Sequence, residues 1–398
     1  MRGRSRWWLV PIVLAALVTT AGVVIWNAAR PPEVTAFYDA PDELPSTEPG
    51  TLLRWESMES RDGHTLWRIL YVSTDLAGEP RVVSGLIGRP AADAPEGGYP
   101  LIAAAHGTTG IAQGCAPSLM LYDGSDESPS LYDGVAKPFL DLGYAVVMAD
   151  YQGLGVAGSP SYVIGQLEAQ NVLDSIRAAQ AFGELELNGQ IVLQGHSQGG
   201  HAVAFTLQIA PEYAPELPFL GGVLLAPATD LLGMFNVILE EDERSPMSAL
   251  VLYSLSAWGQ TIPGADLSDV ATSLGQDVMR ATTDRTCVVF SALSATLFVP
   301  SRLIEEGATE RWSEIIAANT PDAGPWKQPV FIGQGGSDGV ILPTFTNAFV
   351  EGLCMSGTMV EYRMYPDATH FSVPKASQED MLAWVAGRFA GNPATSNC

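Results

Sequence analysis

The sequence predicts an α/β fold built on a mostly parallel central sheet, with helices on both faces and an inserted helical cap. Three observations carry that expectation. Short apolar runs alternate with helical stretches, one of those runs turns into a helix through closely spaced glycines, and the strand rhythm stops between Ala228 and Gly324. The composition permits such a fold: 47% of the 398 residues are hydrophobic and only 16% are charged, so the chain can bury a large core.

At the start, Arg2, Arg4 and Arg6 precede an uncharged, mostly apolar run from Trp7 to Trp26, and Glu33 is the first acidic residue. Residues 1–30 therefore form a targeting segment. The run fits a secretory signal, with core Trp7–Val18 and small residues Thr19-Thr20-Ala21 before cleavage. It also fits an uncleaved anchor, because twenty helical residues span about 30 Å and Trp7, Trp8 and Trp26 would sit at the two interfaces. Both place the rest of the chain outside, secreted or anchored to the outer face of the cytoplasmic membrane through residues 7–26. A net charge of -24 excludes a phosphate-binding surface, so nucleic acid is not expected as a partner. No block of five or more like charges occurs, and the acidity reads as a soluble surface.

Residues 31–49 are rich in Pro, Asp and Glu and read as a linker or a strap. The N-terminal part of the core, 50–227, opens with strands at Thr65–Thr74 and Arg81–Gly88 around a turn-bearing Leu-Ala-Gly-Glu-Pro. Beyond Pro100, the runs Leu101–Ala105, Ala145–Ala149, Ile191–Leu193, Gly222–Leu225 and Pro329–Ile332 read as buried parallel strands joined by crossovers. A helix is expected from about Ser159-Pro160-Ser161, with Val163, Leu167, Val172, Ile176 and Ala179 as its apolar stripe. Residues 228–325 are expected to form the cap, with helical or irregular stretches at Leu231–Leu239, Met247–Trp258, Asp266–Arg280 and Ser301–Ala318. Residues 326–398 complete the core. The four cysteines, Cys115, Cys287, Cys354 and Cys398, are an even set without Cys-x-x-Cys spacing, which in an exported chain favours disulfides over metal ligation. Three pairings are possible.

The chemistry lies in Gly195-His196-Ser197-Gln198-Gly199, which follows the apolar Ile191-Val-Leu-Gln and leads into a helical pattern, His201–Ala210, that stops at Pro211. So sharp a turn from strand to helix strains Ser197 and lifts its hydroxyl above the sheet, and only glycines at 195 and 199 leave room for it. The helix N-terminus aims amide dipoles at charge developing beside the serine. A serine nucleophile needs a general base, and the base needs a carboxylate to fix its tautomer. In the α/β-hydrolase fold these follow in the order nucleophile, acid, base. Of five histidines, only His370, in Pro366-Asp-Ala-Thr-His370, comes late enough. His64 and His106 precede the elbow, His196 lies in it, and His201 sits one turn along its helix. Asp338, in the Gly-rich turn after Val330-Phe-Ile, is the expected acid, with Asp230 and Asp367 as rivals. Leu101–Ala105 ends in His106-Gly107-Thr108-Thr109, where the second oxyanion donor belongs. The Thr108 and Gln198 N–H groups are the candidate pair, Thr109 is the substitute, and His106 is a brace.

Two other motifs fail on context. Gly153-Leu-Gly155-Val-Ala-Gly158 matches a dinucleotide fingerprint, but Ser-Pro-Ser intervenes before the helix and Asp174 falls inside that helix. Ser372-Val-Pro-Lys375 carries a proline that spoils the turn bringing lysine over serine. No Glu-x-x-His or His-Glu-x-x-His metal pattern occurs.

Over roughly residues 45–398 the chain resembles the secretory lipases of the α/β-hydrolase superfamily, the yeast lipase A type and its bacterial relatives. The resemblance lies in Ala105-His-Gly-Thr-Thr-Gly110, Cys115-Ala-Pro-Ser, Ala149-Asp-Tyr-Gln-Gly-Leu-Gly155, Gly195-His-Ser-Gln-Gly199, Gly336-Ser-Asp338 and Thr369-His370. It implies a triad of Ser197, Asp338 and His370, a helical cap, no cofactor, and disulfides Cys115–Cys287 and Cys354–Cys398, the first tying cap to core. The expected function is hydrolysis of carboxylic esters, acyl esters or triacylglycerols, with a small-molecule or lipid ester as substrate. The dense apolar run of Leu231, Leu232, Met234, Phe235, Val237, Ile238 and Leu239, with Tyr253 and Trp258 nearby, would be cap core or an acyl groove. An aryl ester, thioester or peptide bond is the alternative target, and a non-catalytic surface-binding protein is the competing class.

Overall fold

The computed structural model describes residues 30–124 and 130–398. The Trp7–Trp26 segment lies outside the described residues, among which no helix is long and apolar enough to cross a membrane.

Nine strands form one sheet: β1 (Leu52–Ser57), β2 (Thr65–Thr74), β3 (Pro80–Arg89), β4 (Tyr99–Ala105), β5 (Ala145–Ala149), β6 (Leu187–His196), β7 (Phe219–Leu225), β8 (Val330–Gly335) and β9 (Val360–Tyr365). Their spatial order is β1-β2-β3-β5-β4-β6-β7-β8-β9. The first three strands and the β3–β5 join are antiparallel, and every pair from β5 to β9 is parallel. The β2–β3 turn is held by Asp75, whose carboxylate accepts from the Ala77 and Glu79 N–H groups.

Alternate residues of the parallel strands bury opposite faces, as a period of two requires. Leu101, Ala103, Val147 and Leu193 pack beneath helices Gly165–Gln180, Gln198–Tyr213 and Pro343–Ser356. Ile102, Ala104, Val146, Val192 and Phe331 pack against Phe139, Met381, Trp384 and Val385 on the other side. Burial on both faces is why these strands are continuous apolar runs. Where helices Gly165–Gln180 and Gln198–Tyr213 cross, a Cβ at position 165 would strike the Phe205 ring, so only glycine fits.

Two expectations are corrected. The helix expected from Ser159 begins at Gly165. Residues 159–164 are held as a loop by the Ser161 N–H on the Gln152 carbonyl and by Val163, whose φ is 43°. The elbow helix runs through Pro211 to Tyr213 instead of stopping there. Its last turn is tied down by Arg177, which donates to the Tyr213 carbonyl, and by the Tyr213 hydroxyl on Asp174. Between Leu231 and Ala318 the chain is helical, but Asp266–Arg280 is broken into a 3-10 turn and a helix Ser273–Ala281 capped by Thr272. Ser301–Ala318 is three short helices, and an unforeseen helix covers Val288–Ala295. These elements share a core that includes Leu252, Tyr253, Trp258, Trp312 and Ile316. In the 31–49 segment, Tyr38 is buried against Leu70 and Val156 and hydrogen-bonds Ser118.

The described cysteines close two disulfides, Cys115–Cys287 and Cys354–Cys398. The first fastens the segment after β4 to the start of helix Val288–Ala295, where the Val288 N–H also donates to the Thr109 carbonyl at 2.8 Å. The second holds the C-terminal tail beside β9, where Asn397 bonds the Tyr362 backbone.

One buried carboxyl gives the fold a pH signature. Asp174 accepts from Ser73, Tyr213 and Arg177, yet burial pushes its pKa up from 3.8 to about 6. Between those values the folded chain binds a proton that the unfolded chain does not, so this group costs stability above pH 6. The cost is relieved as pH falls toward 4. The stability of wild type relative to Asp174→Asn is therefore expected to rise by about 2–3 kcal/mol between pH 7 and pH 4 in urea titrations. A flat difference would contradict the raised value.

Candidate active site

β6 ends at His196 and the elbow helix begins at Gln198, leaving one residue for the reversal. That residue, Ser197, has φ 58° and ψ -118°, a conformation a non-glycine residue adopts only when its surroundings impose it. A Cβ on Gly195 would strike the Gly199 carbonyl, and one on Gly199 would strike the Ala105 carbonyl, so both flanking positions exclude side chains. The Ser197 N–H donates to the Leu225 carbonyl at 2.9 Å, and its own carbonyl accepts from His201. The hydroxyl is thereby presented above the C-terminal ends of β4, β6, β7 and β8.

His370 lies on the loop after β9 and Asp338 on the loop after β8. Their side chains are nearly inaccessible. His370 Nε2 is 2.9 Å from Ser197 Oγ, and His370 Nδ1 is 2.9 Å from Asp338 Oδ2. Asp338 Oδ1 accepts from the Val340 and Ile341 N–H groups at 2.8 and 2.9 Å, which fixes the carboxylate plane. The rivals are elsewhere. Asp230 caps the helix Leu231–Glu241 by accepting from the Gly233 N–H, and Asp367 makes no bond to His370.

Thr108 and Gln198 flank the serine on its two sides. Gln198 is the first residue of the elbow helix, and Gly107, next to Thr108, lies against Ser197 Cβ. The Thr108 hydroxyl bonds that of Tyr162 at 2.9 Å. Thr109 is turned toward helix Val288–Ala295 through its carbonyl. His106 is buried beneath the turn, stacked on Tyr151 with its Nε2 at 3.1 Å from the Asp150 carbonyl, and burial pushes its pKa down. Ser372 of the Ser-x-x-Lys match accepts from the Thr369 N–H, and the Gly153–Gly158 loop is followed by more loop before its helix.

Composition and spacing missed several neighbours. His196 packs its ring on that of His370, centroids 4.6 Å apart, and its Nε2 is 3.0 Å from the His370 carbonyl. Burial, with His370 beside it, holds its pKa well below the usual histidine value. Glu168, His201 and Asn319 form a buried hydrogen-bonded group behind the elbow. No local signal marks His201 for this group, because its partners lie 33 and 118 residues away in the chain. Above Ser197 is a cavity of about 20 Å³, bordered by Tyr162, Val163, Gln198, Leu231, Met234, Phe235, Leu250 and Ile341. It has room for about one water. Of the two readings for Tyr253 and Trp258, core and groove, the structure has them fully buried in the core of the helical segment.

Sheet order, strand-to-helix elbow and covering helices define a hydrolase of the α/β-hydrolase fold. The structures of Candida antarctica lipase A share it with a TM-score of 0.78 at 20% identity in the closed state, over 91% of this chain and 87% of that one. The rice cell wall degrading esterase LipA of Xanthomonas oryzae shares it at 0.71 and 16%, over 87% and 100%. The chain belongs to the secretory lipase family, whose family model matches residues 133–397. Relatives include a secreted triacylglycerol lipase of Malassezia globosa, 26% identical over 92% of this chain and 83% of that protein. A Mycobacterium tuberculosis protein named "Probable inactive lipase" is 28% identical over 92% and 84%. By family, this protein is a carboxylic ester hydrolase.

Proposed function

We propose that the chain hydrolyses acyl esters outside the cell through an acyl-enzyme formed on Ser197. The observation that carries this is the unbroken contact chain from Ser197 Oγ to His370 to Asp338, with 2.9 Å at each step. Ser197 Oγ attacks the acyl carbonyl while His370 Nε2 takes its proton. The tetrahedral oxyanion is held by the Thr108 and Gln198 N–H groups. Collapse expels the alcohol, which receives that proton, and a water activated by His370 then releases the carboxylic acid. Asp338 keeps the proton of neutral His370 on Nδ1 and stabilises the imidazolium. Each oxyanion donor is expected to contribute about 10²- to 10³-fold to turnover.

Residues 50–227 and 326–398 form the hydrolase core in this proposal, residues 228–325 its cap, and residues 1–30 a cleaved signal or an anchor. The cavity above Ser197 admits about one water, so an acyl chain enters as Leu231, Met234, Phe235 and Leu250 move apart, and their apolar border favours such a chain over a peptide or a polar aryl group. One relative bears the name "Probable inactive lipase", which makes turnover by this chain the deciding measurement. A fluorophosphonate probe is expected to label wild type at one site, and absence of label rules out an activated serine. Across p-nitrophenyl esters, kcat/KM for butyrate and hexanoate is expected to equal or exceed that for acetate. A steady fall beyond acetate would remove the acyl groove while leaving the serine chemistry in place.

A further inference from the structure

Beneath the elbow lies a carboxylate that the ester chemistry does not use. Glu168, in the first turn of helix Gly165–Gln180, is fully buried, and both of its oxygens are engaged. Oε1 accepts from Gln198 Nε2 at 2.6 Å and from the Val163 N–H at 2.9 Å. Oε2 faces His201 Nδ1 at 3.0 Å, and His201 Nε2 is 2.9 Å from the Asn319 carbonyl. A carbonyl only accepts, so His201 Nε2 carries a proton. Two facing lone pairs across 3.0 Å would repel, so a second proton lies between Nδ1 and Oε2. The pair is neutral as a whole, which makes its burial tolerable.

The segments this carboxylate grips border the serine on both sides. Gln198 is the next residue after Ser197, and its side-chain amide donates to Glu168. Val163 is held at φ 43°, a conformation that a β-branched residue rarely adopts. The preceding Tyr162 bonds the Thr108 hydroxyl. Tyr162, Val163 and Gln198 all border the cavity above Ser197. We propose that Glu168, with His201 as its partner, is a positioning residue for the oxyanion site. One carboxylate fixes the Gln198 side directly and the Thr108 side through Val163 and Tyr162.

The inference rests on the assignment of Ser197 as nucleophile. Amide donors stabilise a transition state in proportion to how well they are fixed beforehand, and misplacement by about 1 Å can cost about 10²-fold. The test is Glu168→Met, which keeps a side chain of similar length but offers Gln198 Nε2, the Val163 N–H and His201 no oxygen to meet. Expected are a 10- to 100-fold loss in kcat, KM within about twofold of wild type, and a matching loss in affinity for a trifluoromethyl ketone inhibitor that must place an oxyanion. Fluorophosphonate labelling should still reach completion, only more slowly. A lower melting temperature and a smaller labelled fraction, with kcat per labelled site unchanged, would overturn the proposal.

Gln198→Leu keeps the backbone N–H and removes only the tether. It should lower kcat per labelled site, and its loss should not add to that of Glu168→Met in the double variant. Wild-type kcat per labelled site in Gln198→Leu overturns the proposal even if Glu168→Met fails to fold. Ser197→Ala, measured alongside, separates the two assignments. Turnover that survives there removes the nucleophile. Turnover lost there, with kcat intact in Glu168→Met, removes the positioning role alone.

Discussion

Ser197→Ala is expected to lose at least about 10⁴-fold in ester turnover while keeping the fold. The backbone reversal at position 197 is held by the Leu225 carbonyl on its N–H and by the His201 N–H on its carbonyl, and alanine retains both. Alanine at φ 58° suffers the same backbone strain as serine, because both carry a Cβ. Only the hydroxyl and its contact with His370 are lost. The measurement is kcat/KM on a p-nitrophenyl ester beside a thermal melt. Activity within tenfold of wild type would mean that a different group attacks the ester.

Asp338→Asn should cost about 10⁴-fold in kcat, nearly as much, with little loss of stability. The direction follows from what already holds the carboxylate. Oδ1 takes two backbone N–H groups, from Val340 and Ile341, so the oxygen of the new amide must stay on that side. The NH2 group then faces His370 Nδ1, which has to accept. The imidazole proton moves to Nε2, the atom that should take the proton of Ser197, and the base is disabled although every heavy atom keeps its place. A pH–rate profile in which this variant recovers toward wild-type kcat at any pH between 6 and 9 would argue against Asp338 as the orienting acid.

Much of this site was legible along the chain because its signals are local. A strand that must reverse into a helix within one residue needs glycines at 195 and 199, and that requirement is written within ten residues. His370 was isolated by order alone. Asp338 was preferred over Asp230 for its Gly-rich turn, but each follows a buried strand and geometry separates them further. Asp230 is used up as a helix cap, whereas Asp338 reaches the imidazole. Local rules also misplaced elements. Ser159-Pro160-Ser161 has the chemistry of a helix start, but Glu168 and Gln152 hold the following residues as a loop and the helix waits until Gly165. Pro211 should end a helix, yet contacts from Arg177 and Asp174 keep the last turn wound.

The sequence by itself determined the sheet of buried runs, the elbow with its serine and the late histidine, because each depends on residues near one another in the chain. Tertiary structure alone decided that Glu168 meets Gln198, 30 positions later, and that Asn319 closes the same group from 118 positions beyond His201. Hydrogen bonds between such distant residues leave no period or spacing to read. They form only after the folded sheet has brought the ends of its strands and the helices behind them within 3 Å of one another.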